Sequence, residues 1–254
     1  MQSAPERHEH ILKRLREQGQ VSVATLSEQL EVSEVTIRKD LNMLERRHLL
    51  HRTHGGAIGA NPYVLDRTVE EKTGEHAADK DRIGRAASAL VEPQDSIILG
   101  SGTTAMYVAR HLRDVPGLTV ITSAMNVAVV LTGLPQVEIL MLGGTVRKSS
   151  TSVVGQHAEQ MLEDHACSKL FLGVDGFDLD YGLTTTNAQE ATLNQAMMRA
   201  AQRTIVIADS SKFGRRGFRR ICNVDQVDAV ITDTGVSDEA VRSLEARGVA
   251  VDVV

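Results

Sequence analysis

From residue 96 onward the chain alternates short apolar runs with amphipathic stretches, an order that few architectures accept. The apolar runs cover 96–99, 118–122, 137–142, 169–174, 204–208, 229–232 and 249–254. Helical periodicity covers about 103–113, 124–132, 156–165, 187–202 and 237–247 between them. Strands and helices taken in turn imply an α/β domain built on a mainly parallel sheet. With 42% apolar and 24% charged residues in 254, the chain can bury a core for one large domain or for a small one beside it. No run approaches the ~18 apolar residues of a membrane helix, and the first thirty residues lack a secretory pattern. Cys167 and Cys222 stand far apart without CxxC spacing, which reads as two reduced, buried thiols. These features point to the cytoplasm, with no membrane partner. No metal-ligand or cofactor pattern is present.

The first part of the chain is different. Residues 7–18 read as a helix with Ile11, Leu12 and Leu15 on one face, ended by Gly19. Residues 21–23 are extended, and Ser22 can cap a second helix running to about Leu30. Glu31 and Val32 make a tight turn. Ser33 then caps a third helix from Glu34 to about Arg47, with Val35, Ile37, Leu41 and Leu44 as its inner face. Residues 49–54 are extended and close at Gly55-Gly56. Three short helices and a small strand pair are the parts of a winged helix-turn-helix. The expected organisation is residues 1–58 as that head, 59–80 as a linker and the start of a connecting helix, and 81–254 as the α/β domain. The linker reads as Asn61–Tyr63, and the charged helix as 67–90.

Charge supports a division of labour. The net charge is −5, yet residues 1–58 hold nine Lys/Arg against eight Asp/Glu, with five of the nine histidines. Residues 59–254 hold nineteen against twenty-five, so only the head can face a polyanion. In a helix-turn-helix the second helix enters the major groove with its N-terminal residues at base edges. Ser33, Glu34, Thr36 and Lys39 fall near that exposed start, and Arg38 and Asn42 lie one turn apart. Arg46, Arg47 and Arg52 extend the cationic line, with His54 at the wing. Short hydroxyls let the backbone approach phosphate, while a few longer side chains reach bases. A solvated helical bundle is the bland alternative.

The larger part offers a second kind of site at its strand ends, where ligands of open α/β sheets collect. Gly100-Ser101-Gly102-Thr103-Thr104 follows a strand and opens a helix. Its backbone N–H groups could cradle an oxyanion, or the segment could be a plain turn. Asp209-Ser210-Ser211-Lys212 places a lysine where it could meet phosphate, or is a surface loop. Asp175 and Asp178 suit sugar hydroxyls but could cap the next turn. Glu190 could face the same crevice or solvent. Ser123 could simply cap a helix, and Gly143-Gly144 could be a turn.

The stretch from Arg7 to Ala57, with VSVATLSEQLEVSEVTIRKDLNMLERRHLLHRTHGGA at its heart, resembles the N-terminal domain of the DeoR family of repressors. The family usually shows TIRRDL; Lys39 here keeps the charge but not the bidentate fork. The resemblance continues through the α/β part, which looks like the family's sugar-phosphate sensor. It also resembles ribose-5-phosphate isomerase, whose phosphate loop, paired aspartates and Asp-x-Ser-Lys look like Gly100–Thr104, Asp175/Asp178 and Asp209–Lys212. FLGVDGFDLDYGLTT and ADSSKFGRRGF look most similar to regulators of amino-sugar use, such as N-acetylgalactosamine repressors. Gly100 departs from the family's usual aspartate, and Ser123 from its usual asparagine.

The resemblance implies a DNA operator and a phosphorylated-sugar effector as partners. It implies a homodimer or homotetramer whose ligand-binding residues are Ser101, Gly102, Thr103, Thr104, Ser123, Gly143, Gly144, Asp175, Asp178, Glu190 and Lys212. The alternative is an isomerase carrying a DNA-binding head. Such chemistry needs a base and a cation for the enediolate. Residues 179–189, where the isomerase keeps its lysine, contain neither Lys nor Arg. The expectation is therefore a sensor without catalytic residues, and the family resemblance implies that its ligand releases it from DNA.

Overall fold

The computed structural model describes residues 3–18, 20–46, 49–53, 55–59, 64 and 66–254. The chain divides into two units, residues 1–62 and 63–254. In the first, α1 (Ala4–Gln18), α2 (Val23–Leu30) and α3 (Glu34–Arg46) pack over an antiparallel sheet of β1 (Gln20–Ser22), β3 (Gly56–Gly59) and β2 (Leu50–Thr53), in that order. Ile11, Leu15, Leu26, Leu30, Ile37, Leu41, Leu44 and Leu50 form its core. Helical spacing explains the choice from α3: positions 37, 41 and 44 recur on one stripe. Val35 departs from the sequence reading. It lies about 200° around the helix from Ile37 and is 59% exposed, so it belongs to the outer face.

The second unit is built on a seven-stranded parallel sheet. Its strands are β4 (Ser96–Leu99), β5 (Thr119–Thr122), β6 (Glu138–Met141), β9 (Cys167–Leu172), β12 (Ala201–Ile207), β14 (Ala229–Thr232) and β15 (Ala250–Val253). They lie in the order β15-β14-β12-β9-β4-β5-β6. Side chains alternate across the pleat. Ile97 and Leu99 join Ile83, Val108 and Leu131 on one face, from α5 (Ala77–Ser88), α6 (Thr103–His111) and α7 (Met125–Leu131). Ile98 joins Leu162, Leu193 and Leu244 on the other, from α8 (Gln156–Leu162), α9 (Ala188–Ala200) and α10 (Asp238–Glu245). The α/β alternation read from the sequence is thus the architecture. No helix among the described residues is long and apolar enough to cross a membrane.

Two features differ from the sequence reading. The charged stretch 67–90 is two helices, α4 (Val69–Thr73) and α5, because Gly74 ends the first and His76 turns left-handed at φ 51° before the second. Lys80 is 2% exposed and donates to the carbonyls of Lys72 at 2.9 Å and Glu75 at 2.6 Å, closing that corner from below. Antiparallel pieces also appear that periodicity did not suggest. One is a ribbon of β7 (Thr145–Arg147) with β8 (Ser152–Val154). The other is a sheet of β10 (Gly176–Asp178), β11 (Gly182–Thr185) and β13 (Arg219–Cys222). Sequences such as Thr-Val-Arg, Gly-Phe-Asp and Arg-Arg-Ile-Cys lack the apolar run that marks the strands of the main sheet. The 61–63 linker lies outside the described residues.

Candidate functional site

In the small unit, α3 presents its outer face from a well-held start. Glu31, left-handed at φ 51°, turns the chain out of α2. Ser33 then accepts the Thr36 N–H at its hydroxyl, 3.3 Å, and at its carbonyl, 2.9 Å. Ser33, Glu34, Arg38, Lys39, Asn42 and Arg46 are exposed, and Thr36 is half-buried. Arg38 pairs with Glu34 at 2.7 Å, one turn away. Arg52, on β2, takes a structural position. Its N–H donates to Glu45 at 2.7 Å, and its guanidinium donates to the Arg38 carbonyl at 3.3 Å and to the Asn42 side chain. It fastens the wing to α3 and holds Asn42 in the process. Asp40, on the inner side, receives Arg7 at 2.7 Å and His8 at 3.1 Å, tying α1 to α3. His54 and Arg47 lie outside the described residues.

In the large unit, β4 has β5 on one side and β9 on the other, so the sheet reverses its direction of growth between β4 and β9. Such a reversal opens a crevice beyond the carboxyl ends. Here it is a cavity of about 50 Å³. Ser101, Gly102, Thr103, Thr104, Asp175, Glu190 and Lys212 all line it, brought from the ends of β4, β9 and β12 and from α9. Gly102 stands at φ 104°, open to glycine, and no side chain caps α6 behind it. A helix terminus left this way aims N–H dipoles into the crevice.

Among the lining residues that carried no local signature in the sequence are Lys72 on α4, Arg147 on β7 and Thr185 on β11. They complete a network. Lys72 Nζ meets Asp175 at 3.1 Å. Arg147 meets Glu190 at 3.1 Å and Asp66 at 2.5 Å. Ser101 donates to Glu190 at 2.8 Å, and Thr185 donates to Asp175 at 3.0 Å and to Glu190 at 3.2 Å. Burial pushes the Glu190 carboxyl up and the Asp175 charge adds to it, with Arg147, Ser101 and Lys72 only partly opposing. Burial acts the same way on Asp175, but Lys72, Thr185 and Lys212 outweigh it and hold that carboxyl below its ordinary range. Asp209 is fully buried, and among the described residues its Oδ2 has no hydrogen-bond partner. It is kept low, against burial, by Lys212, the Ser211 hydroxyl, His76 and Lys80.

The remaining expected residues lie elsewhere. Asp178 pairs with Arg216 at 2.8 Å and accepts the N–H groups of Asp180 and Tyr181, so it shapes the β10–β11 turn. Ser123 is 2% exposed and gives its carbonyl to Val153 N–H at 2.8 Å. Gly143 donates to the Met161 sulfur, and Gly144, at φ 152°, leads into the β7–β8 ribbon. None of the four lines the cavity.

Residues 7–62 match the DeoR-like helix-turn-helix domain, and residues 75–234 match the DeoR C terminal sensor domain. The chain is 41% identical, over 98% of itself and 93% of the relative, to a putative aga operon transcriptional repressor of Escherichia coli. It is 35% identical, over 98% of itself and 96% of the relative, to an uncharacterized helix-turn-helix transcriptional regulator of Bacillus subtilis. Ribose 5-phosphate isomerase A of Methanocaldococcus jannaschii superposes on 55% of each chain with a TM-score of 0.41 and 16% identity, too faint to bear on function. The missing cation of residues 179–189 does not set an enzyme aside, because the fold supplies Arg147 beside Glu190 from another segment. Its relatives do, both being transcriptional regulators matched along nearly their whole length. With both domain types present in order, the chain belongs to the DeoR family of DNA-binding transcriptional regulators.

Proposed function

We propose that this regulator represses genes of carbohydrate use and that a phosphorylated sugar controls its hold on the operator. The observation that carries the reading is the uncapped start of α6, opening on the cavity that Lys212 also lines. Backbone N–H groups, a helix dipole and one ammonium suit a phosphate. Asp175 and Glu190, in the same cavity, suit the hydroxyls of the carbon chain. The relative named for an aga operon favours an amino-sugar phosphate. On the DNA side, Ser33, Glu34, Thr36, Arg38, Lys39 and Arg46 meet the duplex, while Asn42 and Arg52 set the distance between wing and helix. The protein works in the cytoplasm as a homodimer or homotetramer, because operators read by such heads repeat. Ligand relieves repression by binding one arrangement of the protomers better than the other.

A thermal-shift screen tests the effector. Phosphorylated hexoses, pentoses and amino sugars are compared with their unphosphorylated parents. A ligand of the folded state raises the melting temperature as its concentration exceeds Kd. The expected result is a rise with one or a few phosphorylated sugars and none with the parents. No rise with any phosphorylated sugar refutes the reading.

A further inference from the structure

Residues 66–76 form one wall of the cavity through Val69 and Lys72. Little apolar burial fastens them, since α4 has five residues and Val69 is its buried side chain. Polar bonds do the fastening, and they end on the residues assigned above to the effector. Lys72 holds Asp175 at 3.1 Å. Asp66 holds Arg147 at 2.5 Å, and Arg147 in turn holds Glu190 at 3.1 Å. Thr186 donates to Asp66 at 3.0 Å, and Val69 N–H donates to the Ser149 carbonyl at 2.8 Å. The far end is anchored more deeply. Buried Lys80 grips the Lys72 and Glu75 carbonyls, and His76 makes the bend into α5.

Size decides what this arrangement can admit. The cavity holds about 50 Å³. That is room for a few waters at ~10–15 Å³ each, whereas small-molecule sites run to ~300–1,000 Å³. A phosphate group fits that space, and the carbon chain of a sugar phosphate then meets the charged side chains of the lining. The sheet tips and α9 are packed into the core. The Lys72 and Arg147 side chains cover the two carboxylates that sugar hydroxyls require.

Resting on the effector reading above, we propose that residues 66–76 are a strap that the effector dislodges. Lys72 and Arg147 occupy Asp175 and Glu190 as built-in counter-ions, and a sugar phosphate that takes those carboxylates sets the strap loose. The strap begins four residues after residue 62, where the small unit ends, and Val64 between them donates its N–H to the Arg216 carbonyl at 2.8 Å. A segment held by a few half-buried ion pairs belongs to the low-stability end of a fold, where switching elements are drawn from.

Hydrogen–deuterium exchange on the full chain tests this. Peptides spanning 66–76 are followed in the wild type, Lys72→Ala, Lys72→Met and Arg147→Ala. Each is measured alone, with inorganic phosphate, with galactosamine 6-phosphate and with glucose 6-phosphate. The Lys72 and Arg147 variants are expected to exchange several-fold faster over 66–76 while β4, β9 and β12 stay protected. Agreement between Lys72→Met and Lys72→Ala ties the effect to the lost charge. In the wild type, a sugar phosphate that raises the melting temperature is expected to speed 66–76 as well, and inorganic phosphate is not. A stabilising sugar phosphate that leaves 66–76 unchanged or slower overturns the strap. If no sugar phosphate stabilises the protein, the effector reading fails, and the strap is then judged on the variants: unchanged exchange in Lys72→Ala overturns it.

Discussion

Arg38 and Lys212 carry the two halves of the proposed switch, and each can be removed without touching the other. Arg38 is exposed on α3, paired only loosely with an exposed Glu34, so its loss leaves the head folded. Arg38→Ala is expected to weaken operator binding by ~1–3 kcal/mol if the guanidinium reads a base. Fluorescence anisotropy with a labelled operator at physiological salt measures it, and unchanged affinity would place Arg38 outside the interface. Lys212 lines the cavity in the other unit. Lys212→Ala is expected to bind operator like the wild type and to ignore the effector; normal release by ligand in that variant rejects the phosphate site. Cys222 yields a different kind of forecast. Burial pushes its thiol up from 9.0 to about 12, with Asp225 adding to the shift. The fold therefore favours the neutral thiol. Its contribution is complete below pH 9 and is lost as pH rises toward 12, on the order of 4 kcal/mol in total. Cys222→Ala should flatten the decline in melting temperature between about pH 8 and about pH 10.5. A decline as steep as the wild type's would mean the thiol is not the group responsible.

Among the elements, α5 and α6 pack most closely where Gly84 faces Tyr107. A β-carbon at 84 would lie 2.7 Å from the Tyr107 carbonyl carbon and 2.8 Å from its Cβ. Neither backbone can yield easily, so Gly84→Ala is expected to cost ~1–3 kcal/mol by overpacking. Urea denaturation measures it, and an unchanged midpoint would show that the helices can separate at little cost. The same scale shows what could be read from sequence. The seven parallel strands are legible because nearly all hold a short apolar cluster, such as Ile97–Leu99 or Ile205–Ile207, between turns or helical stretches. Gly100–Thr104 and Lys212 were legible because the chemistry of a strand-to-helix turn is local. Lys72 and Arg147 were not, since a lone cation on a five-residue helix or a three-residue strand looks like any surface charge until the fold brings it to Asp175 or Glu190. Val35 breaks the expected inner face for a reason that helix geometry alone supplies, since it stands about 200° from Ile37 and off the stripe through Ile37, Leu41 and Leu44.

At the scale of the whole molecule, acid and base act on different parts. Asp95, Asp175, Asp178 and Asp209 are all held below the ordinary carboxylate range by cations or donors that outweigh burial. Their contribution is present above about pH 4 and fades as pH falls through their lowered values. Glu190 runs the opposite way, since its raised carboxyl favours the fold when protonated. Acid should therefore unfold the sensor unit while relaxing one strain inside its cavity. The parallel sheet has a further effect on how the protein can be altered. Because every ladder of the main sheet is parallel, the β4, β9 and β12 ends that line the cavity gather at one rim. The opposite rim holds turns such as 133–136, where Gly133, Pro135 and Gln136 are exposed. A short peptide tag spliced beside exposed Pro135, away from the cavity, is expected to leave the effector-induced thermal shift at the wild-type level; a lost shift would show that this loop bears on the site.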